Sequence, residues 1–69
     1  MTTIVLTHPN EHNPRFQVFA VYDAPDVHSV FALQETDSRE VAELVAREMM
    51  ENFEADHFRR VVEAAERIG

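Results

Sequence analysis

Short apolar runs rich in β-branched and aromatic residues, parted by polar stretches, fill the first half of the chain. Apolar residues recur at every third or fourth position through much of the second half, which lacks Gly and Pro until Gly69. That change of pattern predicts strands followed by helices. "TTIVLT", 2–7, reads as a first strand that Pro9 ends. "RFQVFAVY", 15–22, reads as a second. It places Phe16, Val18, Ala20 and Tyr22 on one face and Gln17, Phe19 and Val21 on the other. "DAPD", 23–26, is turn chemistry, and "VHSVFALQ", 27–34, is a third strand. Alternation puts Val27, Phe31 and Leu33 on one of its faces and Val30 and Ala32 on the other. The short turn makes the second and third strands an antiparallel hairpin, with the first strand beside one of them.

"TDSREVAELVAREMMENF" changes to helical spacing, with Asp37 as the expected N-cap and Glu40 three residues on, a capping-box arrangement. Val41, Ala42, Val45, Ala46, Met49 and Phe53 fill one broad side, and Glu40, Glu43, Arg47, Glu51 and Glu54 lie opposite. "ADHFRRVVEAAERI" reads as a second amphipathic helix, with Phe58, Val61, Val62, Ala65 and Ile68 apolar and Arg59, Arg60, Glu63 and Arg67 wet. One continuous rod would point the two apolar stripes about 180° apart. A break between Asn52 and Asp56 lets both face inward. The expected fold is therefore α+β: a three-stranded antiparallel sheet (β-β-β) followed by two amphipathic helices (α-α) packed on one face, in a single domain over residues 1–69.

Length then narrows the sources of stability. A chain of 69 residues buries only about 60% of the surface that its unfolded form exposes. With no cysteine, disulfides and thiolate zinc sites are excluded, so packing must supply the stability. The start "MTTIVLTHP" has neither a basic segment nor a long apolar run, so the expectation is a soluble cytoplasmic protein.

One stretch looks like chemistry. "HPNEHNP", 8–14, contains His8, Glu11 and His12 in the H-x-x-E-H order of a zinc peptidase family. That chemistry needs both histidines one turn apart on a helix, and Asn13-Pro14 closes the segment after a single turn. A solvated loop is the expected state. A non-catalytic metal loop using His8, Glu11 and His12, with His28 as a further ligand, is kept as an alternative. The single glycine, Gly69, leaves no Gly-dependent phosphate loop or nucleophile elbow, so no enzyme activity and no cofactor are expected.

Charge carries the remaining signal. Thirteen acids against six arginines and no lysine give a net charge of −7. This disfavours direct nucleic-acid binding and anionic membranes. Residues 1–34 carry −2, residues 35–56 carry −6 and residues 57–69 carry +1. The acids therefore concentrate on the first predicted helix. Salt bridges within one helix and the helix dipole account for only some of them, because Glu51, Glu54 and Asp56 mass at the dipole's unfavourable end. Asp37, Glu40, Glu43, Glu51, Glu54 and Asp56 are the candidate partner-binding residues, with Glu40 to Glu54 running along about 20 Å of helix. Asp23, Asp26 and Phe19 are candidate secondary contacts.

In size, acidity and strands-then-helices layout the chain resembles the small phage-encoded anti-CRISPR inhibitors and related DNA-mimic proteins. The resemblance covers the whole chain in character and rests on no motif. It implies a non-catalytic inhibitor that occupies the basic, nucleic-acid-binding surface of a partner protein and so blocks target DNA binding. The alternative is a homodimeric structural or antitoxin-like subunit. It would bind through an apolar sheet face, because one helical layer covers only one side and Phe19, Val21 and Val30 would line the other.

Overall fold

The computed structural model describes residues 1–62. Three strands open the chain: β1 (Thr2–Thr7), β2 (Phe16–Ala24) and β3 (Val27–Thr36). One helix follows, α1 (Arg39–Asn52), and then a fourth strand, β4 (His57–Val61). The sheet order is β3-β2-β1-β4. β1–β2 and β2–β3 are antiparallel, whereas β4 lies parallel to β1. The described residues form an α+β fold with a four-stranded mixed sheet and one helix, in place of the expected three strands and two helices.

The fourth strand has a clear physical cause. Without β4, the outer edge of β1 would leave its N–H and C=O groups unpaired beside buried Ile4 and Leu6. The helix provides the long crossover that a parallel return requires. Segment 57–61 contains Phe58 and Val61, which suit a strand, and tertiary pairing outweighs the helix propensity of Arg59 and Arg60. The rest of the expected second helix, residues 63–68, lies outside the described residues.

The helix cap also differs by one residue. Ser38, not Asp37, is the N-cap, and its hydroxyl accepts from the Val41 amide at 3.3 Å. The break expected near residues 52–56 is present as a two-bond C-terminal cap. The Ala55 amide donates to the Met50 carbonyl and the Glu54 amide to that of Glu51. Glu54 takes the left-handed position of this cap at φ 48°, a conformation usually given to glycine.

The core lies between α1 and one face of the sheet. Ile4, Leu6, Val18 and Ala20 meet Ala42, Ala46 and Met49, all of them buried. The two alanines let the helix axis approach the sheet closely. Each fully buried Ile4, Leu6 or Val18 contributes about 1.5–3 kcal/mol. A register shift between Ala20 and Val21 breaks the simple alternation of β3. Phe31 consequently turns toward the helix and meets Phe53 edge-on at 5.0 Å, while Leu33 and Val30 fall on the opposite face. The expectation that Phe31 and Leu33 share a face fails at this bulge. Among the described residues no helix is long and apolar enough to cross a membrane.

Candidate functional site: the outer side of α1 and its surroundings

The acids expected to form one continuous ridge separate into two groups. Three are engaged within the protein. Asp37 accepts from Arg15 Nε at 2.9 Å, and Arg15 also reaches Glu35 at 3.7 Å. Glu43 holds both terminal nitrogens of Arg60. Asp56 accepts from the Thr2 amide at 3.1 Å and donates its own amide to the Thr2 carbonyl, tying the helix exit to the start of β1. These carboxylates fasten α1 and its flanks to the sheet.

The second group faces solvent. With Ala42, Ala46 and Met49 turned to the sheet, about 100° per residue directs Glu40, Leu44, Glu48 and Glu51 outward. None of these glutamates has an ion-pair partner among the described residues. Leu44 is 53% exposed and Val41 44%. Val41 was expected in the apolar stripe, but the helix seats on its alanines and leaves it at the margin. Glu54 is exposed at the left-handed cap position.

Leu44 and Glu48 were not among the candidate residues. Their signal is a spacing: Val41, Leu44 and Glu48 stand three and four positions apart on the side away from Ala42–Ala46–Met49. Of the expected secondary contacts, Asp26 sits exposed at the hairpin turn, and Asp23 lies 3.6 Å from His28. Phe19 is half-buried on the sheet face that α1 does not cover.

The histidine loop has no ligand geometry. Asn10 folds it back, its side-chain oxygen accepting from the His12 and Asn13 amides at 2.8 and 3.0 Å. His12 and Glu11 are open to solvent. His8 continues the parallel ladder, its amide donating to the Val61 carbonyl at 2.9 Å. Its ring packs edge-on against Phe16 at 5.3 Å, with Nε2 buried and unpartnered among the described residues. No group of three or more metal-ligating side chains forms among the described residues. Burial holds the His8 pKa below its ordinary value, and nearby Arg39 and Arg60 push the same way against the weaker pull of Glu43.

No family model, no curated protein and no solved structure matches this chain.

Proposed function

We propose that the protein is a non-catalytic binding module that docks on a basic surface of a partner protein through the outer side of α1. The observation that carries this reading is the composition of that side. Glu40, Glu48 and Glu51, without ion-pair partners among the described residues, flank exposed Leu44, with exposed Val41 beside them. A helix face that serves only to stay wet has no use for a leucine at its centre and a valine at its margin. A docking face uses both: carboxylates steer the approach of a basic partner, and the apolar pair gains affinity once water is expelled.

The partner chemistry follows from the spacing. Glu40 to Glu51 spans about 16 Å of helix. Carboxylates at that spread suit arginines and lysines that otherwise hold phosphates. The class of partner is a nucleic-acid-binding protein, and the consequence of docking is loss of its nucleic-acid binding. Small phage-encoded inhibitors of similar size and acidity act in this way.

Capture from host extract on the immobilised protein tests the reading. The retained protein is expected to be released by duplex DNA and by rising salt. It should fail to bind a Glu40→Gln, Glu48→Gln, Glu51→Gln triple variant. Capture that survives both the triple variant and high salt would refute the acidic-face reading.

A further inference from the structure

The face of the sheet turned away from α1 is apolar at its centre. Across the four strands, one register row runs Leu33, Phe19, Val5, Arg59, and the next runs Val30, Val21, Thr3, His57. Leu33 and Val30 are 56% and 55% exposed, while Val5 is only 4% exposed beneath its neighbours. An antiparallel sheet with one wet face normally makes that face polar. Here a hollow of about 240 Å³ opens over Val5, Phe19, Val21 and Val30, with Asp23 at one wall and Arg59 at another.

We infer that a second copy of this chain covers this face, the two sheets packing face to face about a two-fold axis parallel to the strands. Charge placement selects the occupant and the axis. On this face the base Arg59 lies on β4, at one edge, and the acids Asp23 and Glu35 lie on β2 and β3, toward the other, Asp23 3.6 Å from His28 and Glu35 shared with Arg15 at 3.7 Å. A two-fold parallel to the strands lays β4 of one copy over β3 of the next. Arg59 then faces Leu33 of its twin, one row from Glu35. A two-fold across the strands would instead bring the two Arg59 side chains together. The same axis sets Phe19 of each copy over Val5 of the other, which closes the apolar centre of the hollow. The large net charge does not oppose this contact. The acids of α1 lie on the far side of each sheet, so both docking helices stay outside. Such aligned packing is the ordinary geometry of paired sheets.

Sedimentation equilibrium of the full chain tests the inference. The wild-type protein is expected to show twice its 8.0 kDa mass in the micromolar range. Leu33→Lys brings a lysine against Arg59 of the twin, and Arg59→Glu removes the complementary base. Each single variant should weaken the dimer at least about tenfold, and the double variant, which sets glutamate against lysine, should recover most of that loss. A wild-type protein that stays monomeric into the high micromolar range would overturn the inference, leaving the face to residues 63–69 or another protein. So would a dimer indifferent to Arg59→Glu, the result expected if copies met along the β3 edge. Both positions are exposed, and amide spectra of each variant establish that it folds. Should Leu33→Lys fail to fold, Arg59→Glu alone still decides between the outcomes.

Discussion

Arg60 on β4 grips Glu43 on α1 with both terminal guanidinium nitrogens, joining the helix to the strand that follows it in sequence. The fork is about one-third exposed on each side chain, so water screens it. Its hydrogen bonds are still the main reason that the Glu43 carboxyl titrates below its ordinary value of 4.5. A carboxyl so depressed stabilises the fold fully above its unfolded pKa and loses that contribution as pH falls through the folded one. Glu43→Gln should therefore lower the urea midpoint at neutral pH. The gap from wild type should close as both are acidified below about pH 4. Urea titrations of both proteins across that range measure it.

His8 predicts a pH response in a different window. Its ring is packed on Phe16 with Nε2 buried, and Arg39 and Arg60 add repulsion to any positive charge placed there. The folded protein thus prefers the neutral ring more strongly than the unfolded chain does. Its contribution is complete above the ordinary histidine value of 6.5 and declines as pH drops through the lower folded value. Thermal midpoints of wild type should fall between about pH 7.5 and about pH 5.5. His8→Leu should fall distinctly less over the same interval, since His12 and His28 remain in both proteins and are largely exposed.

Glu54 offers a gain in stability. It holds a left-handed backbone at the helix exit, where its Cβ crowds the following carbonyl. Replacement by glycine removes that crowding at the position where helix caps favour it. Glu54→Gly is expected to stabilise the protein by about 1 kcal/mol, read from urea denaturation. The same variant leaves Glu40, Glu48 and Glu51 in place, so partner capture should persist.

The elements legible in the sequence are those governed by local pattern. The short apolar, β-branched run read at 2–7 matches β1 residue for residue, and the "DAPD" turn places the β2–β3 hairpin. The alanine-rich spacing of residues 42–49 marks the buried side of α1. What escaped depends on contacts between distant segments. Nothing local in "HFRRV" states that the open edge of β1 waits for it. Its apolar residues fit a helix wheel as readily as a strand. The bulge that separates Phe31 from Leu33 is likewise a property of the pairing between β2 and β3. At the candidate site the charge count was legible and the charge partners were not. Arg15 and Arg60 stand 22 and 17 positions from the acids they hold, so only the fold distinguishes Asp37 and Glu43 from free carboxylates.

Two leucines test which side of α1 does what. Leu6 is fully buried on the sheet face that the helix covers, within the cluster formed by Ala42, Ala46 and Met49. Truncating it removes transferred surface and leaves a cavity that a close-packed core fills only in part. Leu6→Ala should cost about 2–5 kcal/mol, which in a domain this small brings unfolding within reach of room temperature. Leu44 sits on the opposite side of the helix, more than half exposed. Leu44→Ala should change stability by no more than about 0.5 kcal/mol, because alanine is also the better helix former. It should nevertheless weaken partner capture at least about tenfold if Leu44 is the apolar centre of the docking face. Urea denaturation and capture measured on the same two variants separate the roles. A large stability loss at Leu44 would mean that the outer side of α1 is packed and not free to dock.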